Sequence, residues 1–127
     1  MKHLIFSAIL APALLLAGCC TSSHHKTTVN VAGQWHWVCC DGNFHGEMTL
    51  HQQAGKITGR LFDVNDTTGG AIVGSISGNA VQLTRTWGDS FRQDYSLILS
   101  ADGKKLEGTF DGTQDTRFST QFEATRE

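Results

Sequence analysis

Two adjacent cysteines, Cys39 and Cys40, are the residues of this chain whose type and spacing most directly suggest chemistry. They follow two tryptophans and precede an Asp-Gly pair in the stretch GQWHWVCCDGNFHG, residues 33–46. Four interpretations are open: plain strand-end thiols, a disulfide that is either Cys39–Cys40 or linked to Cys20, an intermolecular bond, or metal or redox chemistry. Neighbouring residues of a regular strand point to opposite faces, so we expect Cys39 to point inward and Cys40 outward. A vicinal disulfide would require a distorted backbone before the turn.

Eight short alternating runs, separated by turn residues, predict an all-β domain over residues 33–127. They cover residues 33–40, 44–53, 56–64, 70–77, 80–87, 91–100, 104–111 and 116–126. A hairpin turn fixes which residues face each other, and in each predicted hairpin the mostly apolar residues fall on one face. We therefore predict an eight-stranded antiparallel up-and-down β-barrel. A two-sheet β-sandwich of the same strands is the alternative.

The predicted turns also fix the register of the strands inside this barrel. The expected inward pairs are Trp35 with Met48, Leu50 with Gly59, Gly74 with Leu83, Leu83 with Tyr95, and Leu97 with Gly108. We expect the inward glycines to permit sharp coiling of the strands and to leave room for the tryptophans.

An up-and-down chain sorts its turns onto two ends of the barrel. The near end holds both chain ends of the domain and the turns at 54–55, 78–79 and 101–103. The far end holds 41–42, 63–70, 88–90 and 111–115. The aspartates predicted at the far rim are Asp41, Asp63, Asp66, Asp89, Asp111 and Asp115. Turn chemistry explains the Asp-Gly pairs among them; an acidic rim that attracts a cation or a basic partner is the alternative.

Inward positions near the far end combine aromatic rings with a few polar groups, a mixture typical of small-ligand sites. We predict a ligand site built from Trp37, Asp63, Arg85, Trp87, Gln93 and Tyr95. An unpaired arginine is expensive to bury, so Arg85 requires either Asp63 or the anionic group of a ligand. A barrel of this size can instead be filled by its own side chains.

The N-terminus has the organisation of an export signal. The apolar run from Leu4 to Leu16 is too short to span a bilayer as a helix but has the length of a signal-peptide core. Its end, Leu16-Ala17-Gly18-Cys19, resembles the lipobox of bacterial lipoproteins. The resemblance implies that residues 1–18 are removed, that Cys19 carries acyl chains such as palmitate, and that residues 19–32 form a lipidated, polar tether. Cys20 stands where an Asp would retain such a lipoprotein, which implies an outer-membrane lipoprotein facing the periplasm if the cell is Gram-negative.

A second resemblance concerns the barrel itself. Gly33-Gln34-Trp35 opens the first predicted strand, and Arg126 lies in the last. This pattern resembles the calycins (lipocalins and avidins), in which an arginine of the final strand covers the tryptophan of a Gly-x-Trp motif. The resemblance implies a structural packing pair of Trp35 and Arg126. Binding of biotin or retinoids is not implied, because no avidin biotin-site pattern is present and the chain lacks room for the usual lipocalin C-terminal helix.

These observations predict a lipid-anchored binding module of the cell envelope, with a small apolar or anionic ligand, or a cation, at the far end. The alternative is a protein-interaction or enzyme-inhibitor barrel that contacts an envelope protein through its far loops. Periplasmic lysozyme inhibitors are short barrel lipoproteins of that kind, although their Ser-Gly-x-x-Tyr signature is absent. The net charge of −2 argues against nucleic acid as a partner. No Gly-x-Ser-x-Gly motif is present and no histidine falls on the inward face, so we predict no enzymatic activity, no metal site and no cofactor.

Overall fold

Eight strands follow one another around a closed antiparallel barrel in the computed structural model, which describes residues 29–112 and 120–127. The strands are β1 (Gly33–Cys39), β2 (Phe44–Gln53), β3 (Lys56–Asp63), β4 (Gly70–Ser77), β5 (Ala80–Trp87), β6 (Phe91–Leu99), β7 (Lys105–Gly112) and β8 (Thr120–Thr125), with one 3-10 turn, Cys40–Gly42, after β1. Pairing of β1 with both β2 and β8 closes the barrel. The predicted up-and-down barrel is confirmed, and the sandwich alternative is wrong.

The predicted registers agree with the observed ones in each hairpin that the sequence specified. Trp35 pairs with Met48, Leu83 with Tyr95, and Leu97 with Gly108. A shift of one residue in any of these hairpins would turn the apolar set towards water, so the hydrophobic pattern and the short turns together determine the register.

Glycines on the inward phase have a steric role beyond the one that we predicted. A Cβ atom on Gly59 would lie 2.0 Å from the carbonyl oxygen of Thr49, and one on Gly108 would lie 2.0 Å from that of Ser96. Gly46 and Gly74 meet neighbouring backbone just as closely. Adjacent strands therefore approach each other at these points more closely than any side chain would allow.

The near half of the barrel is filled by its own side chains. Its interior is built mainly from fully buried aliphatic residues, among them Met48, Leu50, Ile57, Val81 and Leu106. Residues 29–32, which we had assigned to the tether, pack against this end, and Val31 is fully buried. The side-chain oxygen of Gln52 accepts a hydrogen bond from the Val31 amide at 2.9 Å.

Arg126 closes the same end of the barrel. Its guanidinium lies over the Trp35 ring, 4.4 Å from the ring centroid. It also donates hydrogen bonds to the carbonyl oxygens of Asn30 at 2.7 Å, Ala32 at 2.8 Å and Gly103 at 2.8 Å. Trp35 in turn donates from its indole nitrogen to the carbonyl of Val31 at 2.9 Å. The first and last strands are thereby joined through the segment that precedes β1.

The predicted signal sequence, the predicted lipobox with Cys19, the neighbouring Cys20, the predicted tether up to residue 28 and Asp115 lie outside the described residues. The predicted strand over 116–126 is described from Thr120 onward. No helix within residues 29–112 and 120–127 is long and apolar enough to cross a membrane.

Candidate ligand-binding site

A cavity of about 280 Å³ lies inside the far end of the barrel. The six residues that we predicted for a ligand site all line it: Trp37, Asp63, Arg85, Trp87, Gln93 and Tyr95. The lining is completed by Cys39, Cys40, Phe44, Phe110, Thr120 and Phe122. The structure thus brings together residues from seven strands, which are all the strands except β4. The far half of the barrel therefore contains a cavity lined by inward-facing side chains.

Arg85 supplies a positive charge to this cavity and is only 4% exposed. It projects inward from β5 because it occupies the same phase as Leu83. Gly70 on the adjacent strand provides room for its stem, since a Cβ there would lie 2.6 Å from the Arg85 Nε. Its guanidinium also lies over the Trp87 ring, 4.2 Å from the ring centroid. The sequence therefore places a fixed positive charge on an aromatic surface inside the barrel.

The hydrogen bonds of Arg85 are long. Nη2 donates to the Asp63 carboxylate at 3.2 Å and to the Leu61 carbonyl at 3.3 Å, and Nη1 donates to the Gln93 side-chain oxygen at 3.4 Å. Ordinary N–H···O hydrogen bonds measure about 2.7–3.2 Å. Nε is buried without a hydrogen-bond partner among the described residues. The protein therefore only partly satisfies this guanidinium.

Asp63 supplies the counter-charge, in the position that the sequence suggested for it. Its side chain is 47% exposed, whereas that of Arg85 is 5% exposed. The carboxylate can thus stay hydrated when it leaves the guanidinium, while the guanidinium cannot. A ligand anion that displaces Asp63 would leave no buried unpaired charge behind.

Gln93 and Tyr95 form a short polar chain that begins at Arg85. The Tyr95 hydroxyl donates to the Gln93 side-chain oxygen at 2.8 Å, so this oxygen accepts from both Tyr95 and Arg85. Burial raises the pKa of Tyr95 well above its usual range, and the charge of Arg85 offsets part of that effect. Tyr95 therefore stays a neutral donor at physiological pH.

Aromatic rings form two walls around these polar groups. On one side Trp37 stacks on Phe122, with ring centroids 5.8 Å apart, and Tyr95 stacks on Phe110 at 5.1 Å. On the other side Trp87 stacks on Phe91 at 5.0 Å. Offset or edge contacts of this kind hold rings in fixed orientations. Among the described residues, the lining therefore combines aromatic walls with the cationic group of Arg85.

The cysteine pair departs from our expectation. Strand β1 ends at Cys39, and Cys40 has a left-handed backbone, with φ of 57°. The Cys40 side chain is therefore not turned away from Cys39, and the two sulfur atoms lie 2.9 Å apart. The expectation of opposite faces holds only for a regular strand, and this strand is not regular at Cys40. Burial, together with the hydrogen bond to Cys40, raises the pKa of the Cys39 thiol to about 12.

Local hydrogen bonds explain the position of Asp66, one of the aspartates predicted at the far rim. The Asp66 carboxylate accepts hydrogen bonds from the amides of Thr68 at 2.8 Å and Gly69 at 3.1 Å, which lowers the pKa of this carboxyl group. Within residues 29–112 and 120–127, no three His, Cys, Asp or Glu residues are grouped so that they could hold a metal ion. These hydrogen bonds show the turn chemistry that we expected of the rim aspartates at one of them, Asp66.

The sequence analysis missed Phe110, Thr120 and Phe122 as lining residues. Phe110 could have been found, because the predicted register already placed it opposite Tyr95. Thr120 and Phe122 lie on β8, within the strand predicted over 116–126, but we did not assign them to the cavity.

No protein-family model matches this sequence, and no curated protein matches it.

Proposed function

We propose that this protein is a lipid-anchored lipoprotein of the cell envelope and that its barrel is a non-enzymatic module that binds a small aromatic anion. The observation that supports the proposal most is the buried, incompletely satisfied guanidinium of Arg85 at the base of an aromatic-walled cavity. The anchor is the acylated Cys19 implied by the lipobox. It would place the barrel on the periplasmic side of the outer membrane if the cell is Gram-negative.

The charge of the cavity favours an anion over a cation. Arg85 is buried and permanently charged, whereas its partner Asp63 is half-exposed and able to move into water. A carboxylate on the ligand could therefore replace Asp63 as the acceptor for Nη2. Hydrogen bonds to a charged partner contribute about 1.5–3 kcal/mol each, enough to make the anionic group a main source of affinity.

The walls and the volume indicate what the rest of the ligand resembles. Trp37, Trp87 and Tyr95 contribute aromatic surface to the lining of the cavity, and aromatic ligands pack favourably against such surface. A volume of about 280 Å³ lies at the small end of ligand pockets, which span about 300–1,000 Å³. The ligand class that fits best is a one- or two-ring aromatic carboxylate.

Calorimetric titration tests this proposal with a matched pair of probes, 2-naphthoate and the uncharged 2-naphthamide. We expect naphthoate to bind to one site per chain, and naphthamide to bind at least tenfold more weakly, since tenfold corresponds to about 1.4 kcal/mol. The variant Arg85→Met should remove this preference for the anion. Arg92→Met is the control, because Arg92 pairs with Asp94 on the exposed outer face.

Equal affinity for the two probes, or an unchanged preference in Arg85→Met, would contradict the role given to Arg85. Native mass spectrometry of the protein from its own envelope is the complementary measurement. Added mass that survives gel filtration in the wild type and disappears in Arg85→Met would identify a natural small ligand.

A protein-interaction function is the second candidate, and one observation favours it. Large apolar side chains at the far end are exposed, with Phe44 at 58%, Val64 at 60% and Phe91 at 36%. Exposed apolar groups at one end of a barrel are suited to a protein partner. Val64→Ser separates the two functions, because Val64 does not line the cavity: it should weaken binding of a protein such as lysozyme and leave naphthoate binding unchanged.

A further inference from the structure

The chain reverses abruptly at the end of β1, and this reversal brings two thiols together. Cys39 is still extended, with φ of −145° and ψ of 175°, but Cys40 and Asp41 both have left-handed backbones with φ of 57° and 56°. Left-handed conformations are uncommon for residues other than glycine, and each costs of order 1–3 kcal/mol. Two in succession place the Cys40 Sγ only 2.9 Å from the Cys39 Sγ.

The two thiols differ in their access to solvent. Cys39 is 8% exposed and faces the ligand cavity, whereas Cys40 is half-buried. Both also border a depression of about 490 Å³ on the outer surface, which Val38, Asp41 and Glu123 help to line. A molecule in solution can therefore reach Cys40 from outside the barrel without entering the ligand cavity.

We propose that Cys39 and Cys40 form a reversible vicinal disulfide by exchange with low-molecular-weight disulfides such as oxidised glutathione. The Sγ separation is about 0.9 Å longer than the S–S bond length of about 2.0 Å, so a small rotation of the side chains would bring the atoms to bonding distance. This inference concerns the thiol pair alone and does not depend on the ligand proposed above.

The exchange proceeds in two displacements. Deprotonated Cys40 attacks one sulfur of the added disulfide, whose S–S bond breaks and whose other half leaves as a thiolate that takes up a proton. Cys39 then loses its proton and attacks the Cys40 Sγ, and the second half of the reagent leaves as a thiol. The protein gives up two hydrogen atoms, and their two electrons reduce one added disulfide to two thiols.

The environments of the two thiols determine this order. The pKa of Cys39 is raised to about 12 by burial and by the contact with Cys40, so this thiol is a poor first nucleophile. It becomes effective only when its target is covalently held beside it. The vicinal disulfide is also easy to reduce, because the Cα atoms of adjacent residues lie about 3.8 Å apart, whereas the Cα atoms joined by a disulfide ordinarily lie about 4.4–6.8 Å apart. Strained disulfides of this kind are the readily reduced ones.

Peptide mapping of the full chain tests the proposal without interference from the other cysteines. Cleavage after Lys26 and Lys56 releases peptide 27–56, in which Cys39 and Cys40 are the only cysteines. The reduced protein is incubated with oxidised glutathione, free thiols are alkylated under denaturing conditions, and the peptide is weighed. We expect the peptide to lack two hydrogen atoms and to carry neither alkyl groups nor glutathione, and dithiothreitol should restore both alkylation sites.

Two variants test the order of attack. Cys39→Ser should acquire one glutathione on Cys40, whereas Cys40→Ser should keep Cys39 reduced until the protein is unfolded in urea. Two alkylated thiols in the wild type, two bound glutathiones, or a disulfide between peptides of two chains would each overturn the proposal. So would a Cys39→Ser variant that acquires no glutathione, since Cys40 would then be inaccessible.

Discussion

Replacement of Arg126 by methionine should destabilise the barrel strongly although the residue lies next to the end of the chain. Methionine retains an apolar stem over Trp35 but removes the guanidinium and its hydrogen bonds to three backbone carbonyls. A hydrogen bond to a charged group contributes about 1.5–3 kcal/mol, and a cation over an indole contributes about 0.5–2 kcal/mol.

The expected loss is smaller than the sum of these values because Arg126 is only partly buried. Water can replace the guanidinium at the exposed carbonyl of Asn30, but less readily at the part-buried carbonyls of Ala32 and Gly103. We therefore expect Arg126→Met to lower the free energy of unfolding by about 3 kcal/mol. For a domain of this size, that corresponds to a fall in Tm of roughly 10–20 °C.

Thermal and urea unfolding, followed by circular dichroism, measure this effect. Arg92→Met is the matched control, because Arg92 pairs with Asp94 on the exposed face and such pairs contribute at most about 1 kcal/mol. Arg126→Lys should be intermediate, since lysine keeps the charge but lacks the planar fork. In Arg126→Met the Trp35 indole N–H, which is bonded to Val31, should also exchange with deuterium faster. A Tm within a few degrees of that of Arg92→Met would refute this reasoning.

Three further predictions concern the barrel and its cavity. Gly59→Ala should destabilise the protein by about 1–3 kcal/mol in urea titrations, because its Cβ would meet the Thr49 carbonyl at 2.0 Å. Gly55→Ala is the control and should be neutral, since its nearest contact lies at 3.4 Å. Equal stabilities of the two variants would contradict the steric argument. The pKa of Asp66 is lowered, so the contribution of this carboxylate to stability is complete above about pH 4 and is lost as the pH falls through the folded-state pKa. The Tm difference between wild type and Asp66→Asn should therefore shrink in acid. A constant difference from pH 7 to 3 would refute this. Arg85→Met should leave the free energy of unfolding in urea unchanged or raise it by about 1–4 kcal/mol, because it removes a buried charge whose partner is half-exposed. A loss above about 3 kcal/mol would show that the ion pair is structural.

The architecture could be predicted because the alternation of apolar and polar residues and the short turns each specify the same register of the strands. In the hairpin of β5 and β6, for example, the turn after Trp87 and the apolar phase of Leu83 and Tyr95 independently specify one register. The same phase places Arg85 inside the barrel, and it makes Asp63 a plausible partner once β3 is known to run beside β4. Residue-level predictions of the site therefore followed from the fold.

Two features could not be predicted, for different physical reasons. The left-handed backbone of Cys40 is unusual for a residue that is not glycine, so no sequence rule indicates that the strand would break there. The division of the interior into a filled near half and a hollow far half depends on how side-chain volumes add up across strands. Val31 shows the difficulty, since this residue of an otherwise polar segment is fully buried at the near end.

Comparison of Arg85 with Arg126 allows a structural role to be distinguished from a ligand-facing one. Arg126 donates three hydrogen bonds of 2.7–2.8 Å to backbone carbonyls, which have fixed positions and cannot leave. Arg85 is far more deeply buried, yet its hydrogen bonds are 3.2–3.4 Å long. Among the described residues, its Nε has no hydrogen-bond partner, and its counter-ion is the half-exposed side chain of Asp63. An arginine selected for stability would have the first set of contacts. The second set leaves the guanidinium able to donate hydrogen bonds to a reversibly bound ligand. We therefore assign Arg85 to ligand binding and Arg126 to the stability of the fold.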